Sequence, residues 1–240
     1  MGRTIEGMIN ARKDAFVIAG IDIGGGQGAA YPIFENADCF NGSADVLIDF
    51  SHPSALDGTL KIAVTNKIPA VIATTGLSAV QVEAIREASK SVPVFFSANM
   101  SLGINLLIDL VRRAARVLED DFDIEIVEKH HNQKIDAPSG TALAIADEIS
   151  DVLKSKPEYV FDRHSERRKR NKNEIGFHAV RGGNIIGDHD VLFAGHNEMI
   201  EISHSATSRD VFADGAIKAA FFVSQQKPGF YNMGDLVNSY

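Results

Sequence analysis

Two histidines, His130 and His131, stand close before Lys134 and the run Asp136-Ala137-Pro138-Ser139-Gly140-Thr141. Imidazole exchanges protons near neutrality, and an ammonium donates a proton or holds an anion. Pro138 suits the start of a helix and not its interior, and Ser139 is a good N-cap. The backbone N–H groups of Gly140 and Thr141 then stand unpaired at a positive helix end, a natural seat for a carboxylate. Paired histidines raise the question of a metal, but no Cys or acidic residue lies at a ligand spacing from them, so none is expected. Singly these features are ordinary: a Pro-Ser-Gly turn usually only starts a helix, and a lone histidine is more often structural. Together they describe a pocket for a small, negatively charged, proton-exchanging substrate.

The flanking periodicities say what must position that segment. Residues 122–128 alternate apolar and acidic side chains, as a half-buried strand does, and a helix is expected over 141–153. Ahead of them, residues 16–23, 44–50, 69–73 and 92–96 read as short buried strands. Helical spacing covers 1–11, 56–66 and 78–89, the last with Ser78 as N-cap. Strands alternating with helices imply βαβ units, a Rossmann-like doubly wound parallel sheet within an α/β fold. Ligands of such sheets lie beyond the carboxyl ends of the strands. That points to Asp22, Phe50, Ser51, residues 74–76 and residues 97–100. A long helix over 102–118 follows, then strands over 174–180, 184–193 and 198–205. These suggest an α+β part with an open mixed sheet and one or two helices against it. A helix over 210–225 is expected to pack back on the first part.

Bulk properties narrow the class. The 240 residues suffice for one large or two small domains, 45% are apolar, and the net charge of −8 argues against non-specific nucleic-acid binding. No apolar run approaches the length of a membrane span and no secretory signal is visible. Cys39 is the only cysteine. It is expected to be a buried or incidental thiol in a reducing, cytoplasmic setting. Against the acidic background stands a basic cluster, Arg163, Arg167, Arg168, Lys169, Arg170 and Lys172. It reads first as a solvated loop and second as a device that draws in an anionic substrate.

The segment from Glu128 to Ala142, EKHHNQKIDAPSGTA, closely resembles the signature E-x-H-H-x-x-K-x-D-A-P-S-G-T-A of the dihydrodipicolinate reductases. The resemblance extends to LIDFSHP (47–53), ATTG (73–76), SANMSLGIN (97–105), EIGFHAVRGGNIIGDH (174–189), SHSATSRDVFADGA (203–216) and GFYNMGDL (229–236). It implies an oxidoreductase of diaminopimelate and lysine biosynthesis that transfers hydride from NADH or NADPH to a cyclic unsaturated dicarboxylate. It also implies a dinucleotide-binding domain over 1–101 and 210–240, and a substrate-binding and tetramerisation domain over 102–209. His130 would be the acid/base residue and Lys134 the proton donor. His131, Ser139, Gly140 and Thr141 would contact substrate carboxylates, with Arg209 a further substrate or hinge candidate. Ala73, Thr74, Thr75, Ser97, Ala98, Asn99 and Met100 would line the nicotinamide site, beside Phe50. An open sheet needs its edges or face covered, in keeping with a homotetramer.

Family members open with a strand and a G-x-x-G-x-M-G loop. Met1-Gly2 match the last two residues of that loop, so the strand and the main phosphate-binding glycines are expected to be missing. The run Gly24-Gly-Gly-Gln-Gly28 is not read as a substitute, because its spacing is not G-x-G-x-x-G. Asp22 lies at the distance past Gly2 where an acidic residue bonds the adenosine ribose, and no Lys or Arg follows it closely, which favours NADH over NADPH. The alternative reading is a non-catalytic or inactive truncated homologue that binds a small dicarboxylate or a partner chain without turnover.

Overall fold

The computed structural model describes residues 1–25 and 29–240. It falls into two compact units, Met1–Leu102 with Asp210–Tyr240, and Gly103–Arg209. The reading of Gly24–Gly28 as no phosphate loop extends onto residues 26–28, which lie outside the described residues.

The first unit runs through α1 (Gly2–Asn10), β1 (Gly20–Ile21), β2 (Ile33–Phe34), β3 (Leu47–Asp49), α2 (Leu56–Asn66), β4 (Ala70–Ile72), α3 (Ala79–Ser89) and β5 (Pro93–Phe96). Strands β4 and β5 are short apolar runs buried on both faces, the pattern of interior parallel strands. Ser78 caps α3 in a reciprocal pair with Gln81. Val71 and Phe95 point into one core with Ile5, Ala213, Ala216 and Met233, while Ala70, Ile72 and Val94 point into another with Leu56, Leu60 and Ile85. Alternation along the strands thus places helices on both faces of the sheet.

Residues 16–23 depart from expectation. Only Gly20 and Ile21 form a strand, paired with β2, and Phe16 and Ile23 are 81% and 95% exposed. An apolar run is buried on both faces only where sheet and helices cover it. Among the described residues β1 pairs with β2 and with no strand of the larger sheet. Cys39 is exposed rather than buried.

The second unit contains α4 (Leu102–Leu118, whose first residue belongs to the first unit), β6 (Asp123–His130), α5 (Gly140–Ser150), β7 (Glu158–Val160), β8 (Glu174–Arg181), β9 (Gly187–Ala194) and β10 (Met199–Ala206). Its sheet order is β10-β9-β6-β8-β7. It is mixed: β8 is parallel to β6 and β7, while β9 is antiparallel to β6 and β10. Leu107, Val111 and Ala115 of α4 and Ile145, Ala146 and Ile149 of α5 share one core with Ile124, Ile126, Ile175, Val191 and Phe193 of the sheet. Much of the basic cluster is neutralised locally. Arg163 bonds Glu125 and Glu174, Arg168 bonds Glu166 and Glu174, and Arg170 bonds Asp123 and Glu125. These guanidiniums hold the β7–β8 connection to the sheet.

The chain then returns to the first unit with α6 (Asp210–Val223), β11 (Gly229–Tyr231) and α7 (Met233–Val237). Strand β11 extends the parallel sheet to the order β11-β5-β4-β3. No helix among the described residues is long and apolar enough to cross a membrane.

Candidate active site

Strand β6 buries every second residue: Ile124, Ile126, Glu128 and His130. The period of two that puts two isoleucines into the core therefore carries a carboxylate and an imidazole in after them. Glu128 is fully buried. One of its oxygens accepts from His130 Nδ1 at 2.6 Å and from Arg181 Nη1 at 2.8 Å. The other accepts from Arg181 Nη2 at 2.7 Å and from the Ser139 N–H at 3.1 Å. Burial alone would push the carboxyl up, but the bonds from Arg181 and His130 outweigh it and hold Glu128 below its ordinary value.

The 131–139 loop is pinned to the turn after β8. Gly182 N–H bonds His130 O, and Asn132 N–H bonds the carbonyl of Gly183, which sits at φ +50°. Lys134 Nζ lies 2.8 Å from Asp136 Oδ1, and Arg181 Nη2 also donates to the Asp136 carbonyl at 2.6 Å. Lys134 thus joins the network that holds His130 through Asp136 and Arg181. The Lys134 ammonium is the main cause that lowers the Asp136 carboxyl, and the Gly140 N–H contributes.

Ser139 caps α5, accepting from Ala142 N–H at 3.1 Å, and its hydroxyl lies 2.9 Å from His189 Nε2. The His189 and His130 rings meet edge to face at 5.3 Å. Burial, then the neighbouring His130, pushes His189 down to about 4. A side chain at Gly187 would put its Cβ 3.0 Å from His130 Nε2, so the glycine leaves that nitrogen room. His131 and Thr141 are half-buried, Gly140 is exposed at the first turn of α5, and Arg209 is the exposed last residue of the second unit.

In the first unit a cavity of about 280 Å³ opens beyond the carboxyl ends of β3, β4 and β5. It is lined by Met1, Phe50, Ser51, Ala73, Thr74, Thr75, Ala98, Met100 and Phe212. Eight candidate cofactor residues, Met1, Phe50, Ser51, Ala73, Thr74, Thr75, Ala98 and Met100, are therefore brought together. Ser97 and Asn99 shape the wall from behind: the Ser97 hydroxyl donates to Asn99 O, and Asn99 Oδ1 accepts from Ser101 N–H. Buried Asp49 ties two strand ends together, accepting from the Ser51 N–H at 2.9 Å and the Thr74 hydroxyl at 2.8 Å. Gly2, the first residue of α1, is exposed and does not line this cavity. Asp22 is also exposed, and its Oδ1 accepts from the Gly24 N–H in a tight turn. Apolar walls, hydroxyls and a strand-end location fit the reactive ring of a nicotinamide nucleotide.

Glu128, Arg181 and His189 received no role from the sequence. The signal for Glu128 lay in the alternation of β6, which predicts an acidic residue on the buried side. Arg181 and His189 are distant in sequence and are joined to it only by strand pairing.

The family model described as dihydrodipicolinate reductase, N-terminus, matches residues 1–100, and the one for the C-terminus matches residues 103–237. The chain belongs to the dihydrodipicolinate reductase family. It is 54% identical over 237 residues to the 4-hydroxy-tetrahydrodipicolinate reductase of Caldanaerobacter subterraneus subsp. tengcongensis, covering 99% of this chain and 94% of the relative. It is 48% identical over 239 residues to the reductase of that name from Clostridium tetani, covering 100% and 93%. Among solved structures it resembles dipicolinate-bound dihydrodipicolinate reductase from Paenisporosarcina sp. TG-14, with a TM-score of 0.82, 23% identity and coverage of 96% and 92%. A probable dehydrogenase from Thermotoga maritima shares the fold more loosely, with a TM-score of 0.58, 11% identity and coverage of 99% and 90%. The family is one of pyridine-nucleotide-dependent oxidoreductases.

Proposed function

We infer that this chain reduces 4-hydroxy-tetrahydrodipicolinate to tetrahydrodipicolinate in the diaminopimelate and lysine pathway, with His130 as acid/base residue and Lys134 as proton donor. The observation that carries the assignment of roles is the His130–Glu128–Arg181–Asp136–Lys134 network at the foot of α5. A nicotinamide nucleotide supplies the hydride. The protein holds the dicarboxylate and delivers a proton. A substrate that accepts hydride gains negative charge, and an ammonium or imidazolium beside it stabilises that charge more in the transition state than in the ground state. His131, Ser139, Gly140 and Thr141 are the residues assigned to the substrate carboxylates, with Arg209 as a further candidate. The cavity at the ends of β3, β4 and β5 is assigned to the nicotinamide. Asp22 is assigned to the ribose and favours NADH, since no cation follows it closely to meet a 2′-phosphate. The exposed faces of the second sheet, Met199 and Ile200 on β10 among them, support assembly of four copies.

Steady-state assays with NADH and NADPH test this directly. His130→Ala and Lys134→Ala are each expected to lower kcat by about 10² or more. Near-normal turnover in either variant would remove that residue from its role. A kcat/KM higher with NADPH than with NADH would overturn the assignment of Asp22.

A further inference from the structure

We propose, resting on the acid/base reading of His130, that Glu128 is its positioning residue, holding the imidazole as the Nδ1–H tautomer so that Nε2 is the nitrogen that exchanges protons. The geometry leaves Glu128 little else to do. Its carboxylate is buried and receives four bonds, two from Arg181, one from the Ser139 N–H and one from His130 Nδ1 at 2.6 Å. An ionised carboxylate only accepts, so Nδ1 must carry the hydrogen it donates. Three of the four donors fix the carboxylate itself, and the fourth is the ring it orients.

Three further features serve the same end. Gly187 places no side chain against Nε2, where a Cβ would come to 3.0 Å. Arg181 bonds the Asp136 carbonyl as well as Glu128, so the loop that carries Lys134 is set by the same guanidinium that sets the ring. His189, edge-on to His130, is pushed down to about 4 by burial and stays neutral, adding no charge of its own beside His130 at neutral pH.

The test combines nitrogen NMR of histidine-labelled protein with kinetics. The His130 signals are assigned by their loss in His130→Gln. In the unmodified chain Nδ1 of neutral His130 is expected to be protonated and Nε2 not; the opposite tautomer overturns the proposal by itself. Glu128→Gln is expected to release the tautomer and lower kcat about 10- to 100-fold, with KM changed less than about threefold. Introduced into His130→Ala, the same change should lower turnover by less than about twofold, because it acts through the ring. A full loss in that background would mean a merely structural role, and unchanged kcat in Glu128→Gln would mean none. Arg181 left unpaired could prevent folding, so Glu128→Gln/Arg181→Met, which removes the pair as a unit, is the second variant. It is expected to show the same tautomer change. If instead His130→Ala turns over normally, the reading of His130 falls, while the tautomer measurement still decides whether Glu128 orients the ring.

Discussion

The two candidate sites, one in each unit, are built from different materials. The cavity of the first unit is walled by backbone turns and uncharged side chains at the ends of parallel strands, with Asp49 as the one buried carboxylate behind it. The site of the second unit is an interlocked set of charges and imidazoles, Glu128, Arg181, His130, His189, Lys134 and Asp136. A nucleotide ring needs shape and a few hydrogen bonds, which close backbone approach supplies. Proton exchange needs titratable groups held out of water, and such groups are tolerated in a core only when each has a partner. The first site should therefore be sensitive to bulk, and the second to pH.

The largest expected effect tests bulk. Gly215 of α6 packs directly on the Met100 carbonyl, and a Cβ there would lie well inside van der Waals contact with an oxygen that cannot swing away. Gly215→Ala is expected to cost about 3 kcal/mol or more and to spoil the cavity wall at Met100, read as a lower midpoint in denaturant and weaker nucleotide binding. A wild-type midpoint would break this side of the comparison.

Acid is the matching test of the second unit. His189 falls from an ordinary value of 6.5 to about 4 on folding, so the unfolded chain binds the extra proton first. The stability this contributes is present above pH 6.5 and is lost as pH falls towards 4, by up to about 3 kcal/mol. Glu174 opens a second, lower window. Burial would raise it, yet Arg168 and Arg163 hold it at about 2, so its contribution is present above 4.5 and lost towards 2. Amide protection factors, taken relative to intrinsic exchange at each pH, should fall in β6 and β9 before they do in β4 and β5 as pH drops from 7 to 4. An equal fall in both sheets would erase the contrast.

A smaller effect sharpens the picture of the first unit. Thr74→Val removes the bond to buried Asp49 and is expected to cost about 1–3 kcal/mol in thermal unfolding, because the carboxylate loses a donor it cannot replace. Smallest of all is an exposed ion pair of the second unit that shares no partner with the Glu128 network. Lys154→Ala breaks the contact with Asp120 and should leave the unfolding midpoint essentially that of the unmodified chain. A larger change there would mean that surface charge matters more in the second unit than burial does.

Much of this was legible in advance, and the failures are informative. Helices α2 and α4 begin and end where periodicity places them, and Ser78 caps α3 as expected, because those signals are local. Strands β7 and β11 were missed. Each is three residues long and exists through pairing with a distant segment. Residues 16–23 have the composition of a buried strand and lie largely exposed, because burial depends on what packs against a segment.

The sequence by itself determined which side of β6 each residue faces, where α5 starts, and which loops follow the parallel strands, since periods of 2 and 3.6, caps and turn residues act over a few neighbours. It also carried family membership, in the run from Glu128 to Ala142. Only the tertiary structure decided that Arg181, fifty-three residues on, closes on Glu128, and that His189 meets both Ser139 and His130. Strand register makes those contacts, and register is settled by the packing of the whole sheet against its helices.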